Sequence, residues 1–135
     1  MIPRYTRPEM AAIWSDEHRL GVMLEIELLA CEAMAEYGQV PADAARICRQ
    51  KARVPDAARV DEIEATVKHD VIAFLTAVGE IVGPEARFLH KGMTSSDVLD
   101  TATAVQYRDA GRLLVQELDA VLAALKVRAL EHRDT

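Results

Sequence analysis

Apolar residues recur along this chain at helical spacing, never in strand-like alternation. Leu20, Met23, Leu24, Leu28, Cys31, Met34 and Ala35 share one face at 3.6 residues per turn. They predict a helix from Asp16 to about Tyr37. Ser15 precedes it as an N-cap, and Asp16 and Glu17 place carboxylates where the helix dipole favours them. Gly38 follows its end. Upstream, Thr6-Arg7-Pro8-Glu9 fits a capping box and predicts a short helix through Met10, Ile13 and Trp14. Pro41 opens a third helix through Ala45 and Ile47 to about Lys51, and Pro55 breaks the chain again. Residues 57–67 read as a short acidic helix with Val60, Ile63 and Val67 on one face. A fifth helix begins near Lys68-His69-Asp70 and carries Val71, Phe74, Leu75 and Val78 to Val82, where Gly83-Pro84 ends it. Residues 85–93 read as irregular.

The last helix is the longest. Thr94-Ser95-Ser96-Asp97 is a dense helix start, and no proline occurs from there to Arg133. That stretch spans about 57 Å at a rise of about 1.5 Å per residue. Its apolar stripe runs through Val98, Leu99, Ala102 and Val105, shifts phase near Asp109, and resumes at Leu113 and Leu114. The preceding short helices can cover only part of it. It therefore packs against copies of itself or belongs to a bundle with further helices. The expected fold is all-α: a layer of short helices over residues 1–93, then one long helix over 94–135, the first of a bundle if further helices cover it.

Composition narrows the class. The 135 residues suit one domain. Half are apolar but only 4% aromatic, so the apolar content is mostly Ala, Leu, Val and Ile, which favours helix over disorder. No apolar run approaches the roughly 18 residues of a membrane span. A net charge of −6 argues against nucleic acid or an anionic membrane as partner. Cys31 and Cys48 are too few for a disulfide framework and read as buried free thiols. Neither has a zinc-ligand neighbour at the right spacing, so no metal is expected. The start, Met1-Ile2-Pro3-Arg4-Tyr5, lacks the apolar run of a signal peptide and reads as cytoplasmic.

Three polar clusters exceed what a helical scaffold needs. Arg4-Tyr5 sets a guanidinium beside a phenol, suited to a planar anionic ligand, or is an ordinary surface pair. Lys68-His69-Asp70 stands at a helix start, where free N–H groups favour phosphate or carboxylate. The plainer alternative is that Asp70 caps the helix while Lys68 and His69 face water. His90-Lys91-Gly92-Met93-Thr94-Ser95-Ser96-Asp97 brings three hydroxyls and a helix N-terminus to one point. A plain cap needs only one of them, so this cluster favours a carboxylate site. His18 and His132 read as surface residues. No Ser/His/Asp set can be assembled from the sequence, and there is no P-loop or G-x-G-x-x-G pattern.

These clusters, in this order, resemble the adenylosuccinate lyase family of the fumarase/aspartase superfamily. The resemblance extends through Ile2-Pro3-Arg4-Tyr5, Leu24-Glu25-Ile26-Glu27, Lys68-His69-Asp70-Val71, Gly83-Pro84-Glu85-Ala86-Arg87-Phe88 and Thr94-Ser95-Ser96-Asp97-Val98-Leu99-Asp100-Thr101. It implies a cofactor-free β-elimination of fumarate, from adenylosuccinate to give AMP and from the succinyl-carboxamide ribonucleotide. It implies that Arg4, Tyr5, Lys68, His69 and Asp70 hold the nucleotide, with Arg4 and His69 near its phosphate. Thr94 and Ser95, with Ser96 beside them, match positions that hold the succinyl end. His90 matches a further active-site histidine, and His69 and His90 are candidates for supporting chemical roles. A homotetramer, with sites built from several subunits, is implied as well.

The chain also departs from the family. Family members are several times longer, and their general-acid His and general-base Ser lie in segments not represented in these residues. The 135 residues are therefore expected to be inactive alone. Lys91 stands where many relatives carry an aromatic residue or Gln. Two other readings remain: a carboxymuconate cycloisomerase-like member, which shares the Thr-Ser-x-Asp segment, and a non-catalytic helical interaction module.

Overall fold

A computed structural model describes residues 2–135. The chain forms a 3-10 turn at Pro3–Tyr5, then α1 (Pro8–Ile13), α2 (Asp16–Glu36), α3 (Ala42–Lys51), α4 (Ala57–Val67) and α5 (Asp70–Val82). A second 3-10 turn, Pro84–Phe88, falls in the stretch expected to be irregular, and α6 (Ser95–Glu131) follows. The described residues contain no strand. The all-α expectation holds, and helix boundaries fall within a residue or two of the sequence reading.

Caps explain most of that agreement. The Ser15 hydroxyl accepts the His18 N–H at 3.1 Å, and Asp56 accepts the Ala58 N–H at 2.9 Å. At the start of α6, Asp97 Oδ2 accepts the Thr94 N–H at 2.9 Å, the returning half of a capping box. The box expected at Thr6 does not form. Arg7 occupies the cap position, and the Thr6 hydroxyl donates instead to the Ile2 carbonyl at 2.9 Å. Thr6 is thus spent on closing the preceding 3-10 turn.

The core is shared by α2, α3, α4, α5 and the first half of α6. The predicted stripe of α2 is the buried one, through Leu20, Met23, Leu24, Leu28 and Cys31. Helix α5 buries Val71, Ala73, Phe74, Ala77, Val78 and Val82, so it is apolar on most sides and central. Helix α4 folds back on α5 across the two-residue connection Lys68-His69. Its Val60 and Ile63 are buried, whereas Val67, expected on the same face, is 40% exposed because it reaches past the end of the core. Arg49 joins α3 to α2 through Glu32 (2.6 Å) and Glu25 (2.6 Å). Arg59 joins α4 to α5 through Glu80.

Helix α6 has two halves. Its first half buries Val98, Ala102, Gln106 and Ala110 at i, i+4 spacing against α1 and α2. Gln106 is polar yet nearly fully buried, because its amide donates to the Ile13 carbonyl at 2.8 Å and satisfies the end of α1. Beyond Glu117 every residue is exposed, including Leu118, Val121, Leu122, Leu125 and Leu130. Neither cysteine is in a disulfide, as expected; Cys31 and Cys48 are free and buried. His18 corrects the surface reading: its Nε2 is buried without a hydrogen-bond partner, tucked into a cleft between α2 and α6. His132 is exposed as expected.

Candidate functional site

Arg4 and Tyr5 are both exposed on the first 3-10 turn. The Arg4 guanidinium carbon lies 4.8 Å from the Tyr5 ring centroid, a cation–π stack that presents one flat cationic and aromatic surface. Tyr5 borders a cleft of about 290 Å³ with Met10, Leu113, Leu114 and Glu117. The N-terminal arm therefore rests on the middle of α6.

Lys68 and His69 form the turn between α4 and α5. Lys68 ends α4 in the left-handed conformation (φ 56°), with its N–H on the Glu64 carbonyl at 2.8 Å. His69, not Asp70, occupies the cap of α5, and its Nδ1 accepts the Ile72 N–H at 3.4 Å. With Nδ1 accepting, the ring proton sits on Nε2, ready to donate. Asp70 Oδ1 accepts the Val71 N–H at 2.7 Å. All three side chains face solvent. The sequence reading allowed Asp70 to be the cap; a histidine taking that place leaves the carboxylate at the first turn.

His90 to Ser96 leads into α6. His90 also adopts positive φ (59°), and Gly92 follows at φ 73°. Among the described residues, Lys68 and His90 are the non-glycine residues at positive φ, and each lies in a cluster singled out from sequence. Left-handed backbone costs an L-residue roughly 1 kcal/mol or more, and such strain gathers at functional sites. His90 is held from beneath by Glu27, which is completely buried. Glu27 Oε2 accepts the His90 backbone N–H at 2.7 Å, and Oε1 lies 2.6 Å from the ring Nδ1. The Lys91 ammonium donates to the Gln39 carbonyl and ties the same loop to the end of α2. Thr94 and Ser96 are exposed and Ser95 half-buried.

Glu27 is the residue that sequence reasoning did not single out. Its signal was available. Positions 20, 24, 27, 28 and 31 fall on one helical face, so Glu27 is a carboxylate in the middle of an apolar stripe. A buried carboxylate requires a partner, and the partner is His90, 63 positions away.

The clusters do not all converge within one chain. The Arg4-Tyr5 arm meets α6 at Leu113 and Leu114, and Leu113 lies about 29 Å along the helix from Thr94 at a rise of about 1.5 Å per residue. The cleft beside Tyr5 includes no residue of the other two clusters. Among the described residues no group of three or more His, Cys, Asp or Glu side chains is placed to hold a metal ion.

Comparison with known proteins identifies the family. A family model described as lyase matches residues 4–135. Over 135 residues the chain is 48% identical to the adenylosuccinate lyase of Synechocystis and 44% identical to that of Bacillus subtilis. Both alignments take in all of this chain but 31% of the relative, so the chain spans about a third of their length. Among solved structures, a fumarate lyase from Mesorhizobium superposes with a TM-score of 0.85 at 28% identity, over 93% of this chain and 30% of that one. The 3-carboxy-cis,cis-muconate lactonizing enzyme of Pseudomonas putida superposes equally well, TM-score 0.85, at 31% identity over 94% of this chain and 30% of that one. With its sequence matched almost end to end and its helices superposing on those of two such enzymes, this chain belongs to the lyase family.

Proposed function

We propose that the chain is the N-terminal third of an adenylosuccinate lyase, which eliminates fumarate from adenylosuccinate and from the succinyl-carboxamide ribonucleotide. One observation carries the reading: identity of 44–48% along the whole chain to adenylosuccinate lyases of two distant bacteria. Identity to the lactonizing enzyme is lower, at 31%, which makes it a superfamily relative and the second choice of activity.

The exposed groups suit such a substrate. The Arg4–Tyr5 stack offers a cation and a π-face to a nucleotide. At the head of α5, Lys68 and the Nε2 of His69 add donors at the positive end of the helix dipole, where phosphate is favoured. Asp70 can accept from ribose hydroxyls. Thr94, Ser95 and Ser96 at the head of α6 offer hydroxyls to the succinyl carboxylates. Elimination removes a proton from the carbon beside a carboxylate and breaks the C–N bond. Negative charge grows on the succinyl part as this happens, so fixed donors there lower the barrier. The proton-transferring acid and base are assigned to other segments of the longer enzyme, and the 135 residues alone to an inactive piece.

The separation of Arg4-Tyr5 from Thr94 supports a site completed between subunits of a homo-oligomer, a tetramer on the family pattern. The exposed Leu and Val residues on the far half of α6 are the surface for that assembly. The boundary near residue 93 then separates the substrate-facing layer from the bundle helix. No helix among the described residues is long and apolar enough to cross a membrane. We assign the enzyme to the cytoplasm.

The test is direct. Offer the longer protein adenylosuccinate and 3-carboxy-cis,cis-muconate in parallel and follow absorbance. Consumption of adenylosuccinate with release of fumarate supports the proposal. Consumption of the muconate alone contradicts it and establishes the second choice.

A further inference from the structure

We propose that Glu27 is the positioning residue of His90: it sets which ring nitrogen carries the proton and aims the other at the ligand. The carboxylate is fully buried on α2, and both of its oxygens are spent on one residue. Oε2 holds the backbone N–H at 2.7 Å, which fixes the left-handed turn at His90. Oε1 faces Nδ1 at 2.6 Å. In the proposed arrangement both carboxylate oxygens accept and Nδ1 donates. The ring proton is therefore on Nδ1, and Nε2 is the free end. The His90 side chain is 18% exposed, so the ring is not sealed off from solvent. His69 is held the opposite way, with Nδ1 accepting a backbone N–H and Nε2 protonated. The two candidate histidines thus present different Nε2 chemistry: a donor at His69, an acceptor at neutral His90.

Replacing Glu27 by Gln makes a specific demand. A glutamine offers one acceptor oxygen and one donor NH2. The His90 backbone N–H cannot change its role, so the amide oxygen must take it. The NH2 then points at Nδ1 and forces that nitrogen to accept. The ring proton moves to Nε2. A side chain with a merely space-filling role makes no such demand.

That His90 faces substrate rests on the proposed function; the hydrogen-bond geometry does not. The experiment separates them. Long-range proton–nitrogen NMR on the 15N-labelled 135-residue chain reads the protonation of each His90 nitrogen. The proposal predicts a proton on Nδ1 in the wild type, and on Nε2 alone for the neutral ring of E27Q. A wild-type ring without a proton on Nδ1 overturns the role of Glu27, and this reading stands even if E27Q does not fold. In the longer enzyme E27Q is expected to lower kcat/KM for adenylosuccinate at least tenfold. A moved proton with unchanged kcat/KM overturns the placement of His90 at the substrate and leaves the Glu27 contact intact.

Discussion

Arg7, at the head of α1, forms an ion pair with Glu117, deep in the last helix. More than a hundred positions separate them, and the pair ties the N-terminal arm to the middle of α6. Both side chains are about half exposed, so the pair orients more than it stabilises. Glu117→Gln is expected to leave the melting temperature nearly unchanged while the arm becomes more accessible. Faster amide exchange and tryptic cleavage around Arg4 and Arg7, compared with wild type, check this.

Glu32 gives an acid-side prediction. Its hydrogen bond to Arg49 holds the carboxyl below the ordinary glutamate value near 4.5. A group with a depressed folded pKa stabilises above its unfolded pKa, and that stability is lost as pH falls through the folded one. Urea midpoints should therefore decline as pH drops below the ordinary glutamate range. In Glu32→Gln the decline should be shallower. Glu32 is partly exposed, so the difference should be small and shrink with added salt.

The two thiols give an alkaline one. Burial pushes Cys31 up, and pushes Cys48 up to about 11. A raised folded pKa means stability that is present below the unfolded value near 9 and lost as pH rises through the folded one. Alkylation by iodoacetamide at neutral pH should be slow for both cysteines in the native chain. Denaturant should accelerate it by about two orders of magnitude or more, since access and thiolate fraction both rise. Fast native labelling of Cys48 contradicts its burial.

Lys68 separates stability from binding. At φ 56° a glycine is unstrained and a lysine is not. Lys68→Gly should raise unfolding free energy by about 0.5–1 kcal/mol, the relief of a left-handed L-residue less the extra entropy a glycine loses on folding. In the longer enzyme the same change should weaken nucleotide binding, because the proposed phosphate cation is gone. Chemical denaturation and KM for adenylosuccinate measure the two effects. A gain in stability with KM unchanged removes Lys68 from the site.

How far the sequence reveals this molecule depends on the kind of interaction. The helices were legible because their ends are local: Ser15, Asp56 and Asp97 cap them, and Pro41, Pro55 and Gly83-Pro84 break them. The capping box misread at Thr6 shows the limit of such patterns, since the adjacent turn claimed that hydroxyl first. The three polar clusters were legible as more polar groups than a helical scaffold needs. Their arrangement was not, because the reach of α6 between Thr94 and Leu113 is set by the fold. Glu27 was visible as a charge on an apolar stripe, yet its partner His90 lies 63 positions downstream. His18 likewise looked like a surface residue until packing against α6 buried its Nε2.

Arg4-Tyr5 and Thr94-Ser95, kept apart along α6 within one chain, are proposed to serve one substrate site across subunits. Subunit mixing tests it most directly. Two variants of the longer enzyme, Arg4→Ala and Thr94→Ala, should each be nearly inactive on adenylosuccinate. Denatured together and refolded into mixed oligomers, they should regain activity, because some sites then receive an intact Arg4 from one subunit and an intact Thr94 from another. Mixed oligomers, verified by mass, that stay as inactive as either parent would show that the two clusters do not share a site.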